Sequence, residues 1–177
     1  MKPLTTYLNE DFKISKETDK YAYHPKTNAE LRELLLQYDK QYEDRDDVCN
    51  LNMIDVSNVD TFESLFDRLD FKHIDVSGWN TSKVLTMTEV FANCKQLQTI
   101  KGLENWDVHN VIFGSGMFKN CKKLTDVGDL SEWRFNQHFS GSNLFTDCKE
   151  LSFVGNTDYF KSIDTFKNYF IGTKITY

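Results

Sequence analysis

The chain repeats itself with a step of 27 residues. Four residue types each occur at three positions separated by this step: Trp79, Trp106 and Trp133; Cys94, Cys121 and Cys148; Phe91, Phe118 and Phe145; and Leu97, Leu124 and Leu151. Coincidence does not place four residue types at one fixed spacing, so the sequence predicts an array of one structural unit. Because such a unit cannot bury its apolar face alone, the core is expected to form only between stacked units.

The four units run over residues 49–71, 74–97, 100–124 and 127–151. Two local periods alternate within each unit. In the second unit, the apolar residues between 84 and 94 are spaced by threes and fours, which predicts a short helix with one buried face. Residues 97–103 lead as a short extended piece into Trp106. Stacked coils of this kind would pair their strands about 4.8 Å apart in a narrow parallel sheet. The fold class predicted is therefore an α/β repeat.

The array is predicted to occupy residues 48–151, between two terminal segments. Residues 1–47 contain alternating apolar and polar residues at Phe12–Ile14 and Tyr21–Tyr23, which favour a short hairpin. A helix is predicted over 28–42, because Thr27 is a good N-cap residue and Glu30 follows it with the spacing of a capping box. Residues 1–47 are expected to cap the first coil, and residues 152–177 to form an irregular capping unit at the other end.

Charge and hydropathy narrow the possible partners. The net charge is −6 and the chain has no long run of Lys or Arg, so direct binding to nucleic acid is disfavoured. No stretch approaches the roughly 18 apolar residues of a membrane helix, and no apolar region of a signal peptide is visible at the start. We therefore expect a cytoplasmic protein with no membrane partner, whose acidic surface suits a basic partner protein.

The repeat phrases resemble the BspA-like leucine-rich repeats that are also found in mycoplasma surface lipoproteins. The phrases that match are Ile54–Val59, Ile74–Val84, Val90–Leu97 and Met117–Leu124. The resemblance implies a right-handed, leucine-rich-repeat-like solenoid, with short parallel strands on one side, short helices on the other and an N-terminal helical cap. It also implies a binding role without a common catalytic set.

Three positions depart from the repeat columns. Gly114 and Gly141 stand where the second unit has Met87, and His138 falls in an inward column that otherwise holds valine. These departures predict looser helices or 3-10 turns in the third and fourth units. They also predict a hydrogen-bonded core position for His138.

No catalytic, cofactor-binding or metal-binding residue is predicted. The sequence has no nucleophile elbow, phosphate-binding loop or paired short Cys and His spacing. The Cys column is interpreted as small buried thiols that fill identical slots, although the stacked thiols would come near disulfide range. The polar column of Asn93, Asn120 and Asp147 is interpreted as satisfying backbone groups at a turn.

The strand face is the candidate binding surface, because the sheet side is the usual binding face of a solenoid. Eight side chains alternate there with the core residues: His73, Asp75, Ser77, Lys101, Glu104, Asp126, Asp129 and Glu132. This mostly acidic set predicts a non-catalytic protein-binding module that acts by occlusion. A phage or mobile-element inhibitor of a host defence or nucleic-acid-handling protein is one such use. The alternatives are a surface adhesin fragment without its export signal and an enzyme with a pocket where the cap meets the first coil. The oligomeric state stays open.

Overall fold

The computed structural model describes residues 20–42, 46–163 and 168–176. The first arm of the predicted hairpin, 12–14, lies outside these residues. In the second arm, Tyr23 forms a parallel bridge with Ile54, so the chain enters the array as an extended segment that pairs with the first unit.

Regular secondary structure is sparse. Helix α1 spans Asn28–Gln41 and helix α2 spans Asp158–Lys161. Strands β1 (Cys49–Asn50), β2 (His73–Asp75) and β3 (Thr99–Lys101) form one parallel sheet in the order β1-β2-β3. A 3-10 helix, Leu103–Asn105, follows β3.

Parallel pairing continues at single residues beyond the three strands. Thr99 forms a bridge with Asp126, which extends the first sheet by one unit. A second ladder of isolated parallel bridges connects Thr61, Thr86, Phe113 and Ser140. Consecutive residues in that ladder lie 25, 27 and 27 positions apart. Successive repeat units therefore lie side by side in the order of the sequence.

The segments predicted as short helices are not helical. Throughout 48–151, every residue of which the structure describes, the only helical element is the 3-10 helix Leu103–Asn105. In the second unit the N–H groups of Met87, Glu89 and Phe91 donate to carbonyls of the next unit, while Val90 and Ala92 donate to carbonyls three residues back. These turns reproduce the spacing of threes and fours that predicted a helix, which explains why that prediction was wrong.

Backbone conformation interrupts any helix in these segments. Residues four apart have positive φ, as at Glu89 (φ 53°) and Asn93 (φ 58°), and again at Gly116 (φ 65°) and Asn120 (φ 64°). Asn tolerates this left-handed conformation better than most residues. The Asn120 side chain also donates to Oδ1 of Asn93 at 2.9 Å. Among the described residues, the side chains of Asn93 and Asn120 therefore join adjacent units, and the prediction that they bond to backbone groups at the turn is wrong.

A column of stacked phenylalanine rings forms the centre of the core. Phe66, Phe91, Phe118, Phe145 and Phe170 are stacked with neighbouring ring centroids 4.7–5.4 Å apart. The cysteine column lies beside it and all its thiols are free and buried. Each thiol donates to the carbonyl of a phenylalanine in the preceding unit, at 2.9 Å for Cys94, Cys121 and Cys148. Burial raises the pKa of Cys94 and Cys121 well above the usual thiol value.

The tryptophan column is regular only in part. Trp79 and Trp106 are stacked with ring centroids 6.1 Å apart and planes 4° apart. Trp133 instead meets Phe135 edge to face at 5.7 Å. The indole N–H of Trp133 donates to the Leu103 carbonyl at 2.9 Å.

One phenylalanine occupies the space that the two glycines leave. The Phe139 ring lies so close that a Cβ atom added to Gly114 would be 2.7 Å from it, and one added to Gly141 would be 2.4 Å from it. Phe139 also stacks on Phe135 with ring centroids 4.0 Å apart. His138, predicted in the core, is exposed. The local turn has shifted by one residue, because the N–H of Phe139 donates to the Asn136 carbonyl, and the larger apolar side chain takes the inward position.

Helix α1 covers the first unit. Its N-cap is Thr27, whose side chain accepts a hydrogen bond from the Glu30 N–H at 3.2 Å. The Glu30 carboxylate accepts from the Lys26 N–H, one residue before the position of a reciprocal capping box. Its buried face consists of four residues: Leu31, Leu34, Leu35 and Tyr38. These are the residues that the helical spacing selected.

Candidate protein-binding surface

Strands β2 and β3 place Asp75 at the centre of a polar network. Asp75 is only 7% exposed. Its Oδ1 accepts hydrogen bonds from Asn52 at 2.9 Å and from the N–H and hydroxyl of Ser77 at 3.0 and 2.6 Å. Its Oδ2 forms an ion pair with Nζ of Lys101 at 2.8 Å. Every oxygen of this carboxylate is therefore used inside the molecule.

This network keeps Asp75 ionised. Burial by itself would raise the pKa of Asp75, but the hydrogen bonds from Lys101, Ser77 and Asn52 outweigh it and hold the pKa well below the ordinary value. The same contact with Asp75 raises the pKa of Lys101. A buried carboxylate with this many donors supports the backbone around it and has little left to offer a partner.

The two other residues near β2 are also tied to neighbours. Nδ1 of His73 lies 2.9 Å from the Thr99 hydroxyl across the β2–β3 pair. Ser77 is half-buried and its hydroxyl serves Asp75. Sequence analysis missed Asn52, which donates to Asp75 and accepts from the Gly78 N–H at 2.7 Å. The sequence indicates Asn52 only through its position, because Asn52 lies one repeat step of 25 residues before Ser77.

The four remaining predicted residues form an exposed acidic group, which we call the acidic strip. Its members are Glu104, Asp126, Asp129 and Glu132. Glu104 accepts from the Gly102 N–H at 3.1 Å, and Asp126 accepts from the Gly128 N–H at 2.9 Å. The structure brings Glu104 beside the next unit, since its carboxylate oxygen would be 2.7 Å from a Cβ atom at Gly128.

Asp129 is the most firmly held member of the acidic strip. It accepts hydrogen bonds from the N–H of Ser131 at 2.9 Å and from the Ser131 hydroxyl. These bonds lower the pKa of Asp129, so the group stays charged in moderately acidic solution. Within the described part of the chain, Glu132 has no hydrogen bond or ion pair. The strip therefore combines anchored carboxylates with one free one.

The described residues also bear on metal binding, membrane insertion and small-molecule binding. Among the described residues, no group of three or more His, Cys, Asp or Glu side chains could hold a metal ion. No helix in the same part of the chain is long and apolar enough to span a bilayer. An open cleft of about 550 Å³ lies between the fourth unit and the C-terminal segment, beside Phe135, Phe139, Tyr159 and Ile163. The described residues that line it supply amide and hydroxyl groups and no carboxylate or imidazole.

Repeat units 25 to 27 residues apart pair with each other through parallel strands and bridges. The protein is therefore built of sequence repeats that lie side by side. The chain belongs to the family described as "Mycoplasma protein of unknown function, DUF285", whose model matches residues 37–168. The match begins within helix α1, covers the whole predicted array and continues into the C-terminal unit. Neither the curated proteins nor the solved structures contain a match to this chain.

Proposed function

We propose that this protein is a non-catalytic protein-binding module that occludes a basic surface of its partner. The observation that supports this most directly is the acidic strip, in which four exposed carboxylates lie within 29 residues of the sequence and Glu104 lies beside Gly128 of the next unit. Complementary charge favours encounter with a basic surface and excludes acidic competitors.

The acidic strip is preorganised. Three of its carboxylates accept hydrogen bonds from backbone N–H groups, those of Gly102, Gly128 and Ser131. Side chains that are already held lose less conformational freedom when a partner binds, so more of the contact energy is available as affinity. The ion pair between buried Asp75 and exposed Lys101 ties β2 to β3 and makes the platform stiffer.

A basic nucleic-acid channel is the partner surface that matches an acidic strip best. Occupying it would block a host defence or nucleic-acid-handling protein, which is a use that fits an inhibitor encoded by a phage or mobile element and acting in the cytoplasm. The proposal includes no catalysis, cofactor or direct contact with nucleic acid.

The fold assignment that accompanies this proposal is a right-handed, leucine-rich-repeat-like solenoid of the BspA type. It is supported by two parallel ladders at the repeat step. The second candidate function is a surface adhesin, which the match to a Mycoplasma family favours. Fractionation of producing cells separates the two, because an adhesin would be recovered at the cell surface and an inhibitor in the cytoplasmic fraction.

The test compares two variants with equal charge. The first neutralises the acidic strip through Glu104→Gln, Asp126→Asn, Asp129→Asn and Glu132→Gln. The control neutralises four exposed acids elsewhere through Asp60→Asn, Glu63→Gln, Asp70→Asn and Glu89→Gln. Partners captured from host lysate by the wild type should be lost by the first variant and kept by the control. Equal capture by both variants would contradict the acidic-strip proposal.

A further inference from the structure

Stacking brings four lysines together at one edge of the array, which we call the lysine edge. Its members are Lys95, Lys122, Lys123 and Lys149. Lys95, Lys122 and Lys149 occupy the same position in successive units, directly after the three cysteines of the core. All four are exposed, and none forms an ion pair with any residue that the structure describes.

Backbone contacts hold these lysines in adjacent units. The Asn93 N–H donates to the Lys119 carbonyl at 2.8 Å, and the Asn120 N–H donates to the Thr146 carbonyl at 2.9 Å. Nζ of Lys123 reaches back to Oε1 of Gln96 in the preceding unit, at 2.7 Å. Adjacent paired segments typically lie about 4.8 Å apart, so the backbones that carry these lysines follow one another closely along the edge. In a chain with net charge −6, positive charge is concentrated here.

We propose that the lysine edge docks the protein onto an anionic lipid surface. Clustered lysines attract negatively charged headgroups without any fixed geometry at each charge. A line of ammonium groups on a rigid edge can approach a flat surface together. Such peripheral contact needs no membrane-spanning segment, so it leaves no long apolar stretch in the sequence.

The chemistry of the edge favours lipid headgroups over nucleic acid. The four residues are all lysines, which act as point charges, whereas specific phosphate contacts usually use arginine and backbone N–H groups. The N–H groups of Asn120, Cys121 and Lys122 are already bonded within the protein. None of the four lysines has an aromatic neighbour in sequence on which a base could stack.

An exposed apolar residue lies in the unit that follows Lys149. Ile171 is 50% exposed, and its carbonyl accepts a hydrogen bond from the Asp147 N–H at 2.8 Å, so it takes the position that Thr146 holds in the preceding unit, three residues before Lys149. Lysines beside an apolar side chain are typical of surfaces that rest in the headgroup region of a bilayer. The neighbouring carboxylate of Glu150 is neutralised by Lys174.

The experiment measures co-sedimentation of the full chain with vesicles of phosphatidylcholine, with and without phosphatidylglycerol. The test variant is Lys95→Gln, Lys122→Gln and Lys149→Gln. The control is Lys26→Gln, Lys40→Gln and Lys83→Gln, which are exposed lysines off the edge and give the same net charge, −6 − 3 = −9. Circular dichroism verifies that each variant is folded.

Wild type and control should bind the anionic vesicles and not the neutral ones. The test variant should bind about 100-fold more weakly, since each lysine near an anionic surface contributes about fivefold. Substituting the same three lysines by arginine should restore binding. Neutralising the acidic strip should leave vesicle binding intact, so failure of the proposed function and failure of this inference are distinguishable.

Three results would overturn the inference: no binding of the wild type to anionic vesicles, equal loss in test and control variants, or tighter binding to a duplex DNA oligonucleotide that depends on the same lysines. The last result would assign the lysine edge to a nucleic-acid backbone.

Discussion

Between Cys49 and Trp106 the repeat units pair through strands as well as an isolated bridge, whereas between residues 107 and 154 they pair through isolated bridges alone. The first half contains β1, β2 and β3, and two of its indoles are stacked. The second half has no strand, and there the Phe135 and Phe139 rings replace the regular packing beside Trp133. Repeat units with similar residue spacing in the sequence therefore pack in two different ways.

The difference extends to the polar face. In the first half Asp75 is buried and shared among Ser77, Asn52 and Lys101. In the second half Asp126 and Asp129 bond only to their local turns and stay exposed. The carboxylate beside the regular strands is therefore used within the molecule, whereas these two carboxylates in the second half stay exposed to solvent. The phenylalanine column passes through both halves and joins them.

The largest effect is expected where the two halves share one core. Phe118→Ala removes a fully buried ring that stacks between Phe91 and Phe145. Removing the ring leaves a cavity in the core that the two halves share. We therefore expect the free energy of unfolding, measured by urea denaturation, to fall by about 3–5 kcal/mol. The control, Phe113→Ala, changes a ring that is 54% exposed and should lose far less. Two separate unfolding transitions in Phe118→Ala would show that the halves unfold independently once the ring is removed. A single transition with only a small loss of stability would contradict the prediction.

The second prediction concerns the irregular half. Gly141→Ala places a methyl group 2.4 Å from the Phe139 ring, and overpacking of this kind costs about 1–3 kcal/mol. In a Phe139→Ala background the same substitution should cost much less, because the obstacle is gone. A double-mutant cycle by urea denaturation measures this coupling. Additive effects would show that Phe139 does not fill the space of the two glycines.

The third prediction concerns the regular half. Asp75→Asn removes the charge that pairs with Lys101, and we expect a loss of about 1–2 kcal/mol near neutral pH. The pKa of Asp75 is lowered by folding, so its stabilisation is present above the unfolded value of about 3.9 and is lost as pH falls below it. The urea midpoint of the wild type should therefore fall more steeply below pH 4 than that of Asp75→Asn. If the urea midpoints of the two proteins fell equally with pH, the stabilising role of the Asp75 network would be contradicted.

The smallest effect on stability is expected on the acidic strip. Asp126→Asn and Glu132→Gln change exposed side chains, so the free energy of unfolding should move by less than about 0.5 kcal/mol. Partner affinity should nevertheless fall, and the loss should shrink as salt is added. Thermal denaturation and binding titrations on the same samples check both statements. A large loss of stability would mean that this half also uses its carboxylates for folding.

Much of the architecture could be predicted from residue spacing. The buried face of α1, its N-cap at Thr27 and the inward phenylalanine and cysteine columns all follow from the pattern of apolar residues, and the structure confirms them. The predicted short helices were wrong, because turns with i to i−3 hydrogen bonds have nearly the same apolar spacing as a helix. Periodicity alone does not distinguish the two when neighbouring units supply the other hydrogen bonds.

The candidate surface was predicted less completely. Alternation along a strand identifies which side chains leave the core, and it selected all four carboxylates of the acidic strip. It could not show that Asp75 turns inward, because its donors Asn52 and Lys101 come from two other units. The lysine edge escaped notice because its members are never more than two in a row in the sequence, and only stacking makes them neighbours.

Residue spacing specifies the repeat and the columns that face the core, because a fixed period requires equivalent residues to share one environment. How the gaps at Gly114 and Gly141 are filled, and which polar groups stay exposed, follows from the packing of the units against one another. Both outcomes depend on contacts between residues about one unit apart, and a side chain at that distance can satisfy or displace a neighbour in ways that local spacing does not specify.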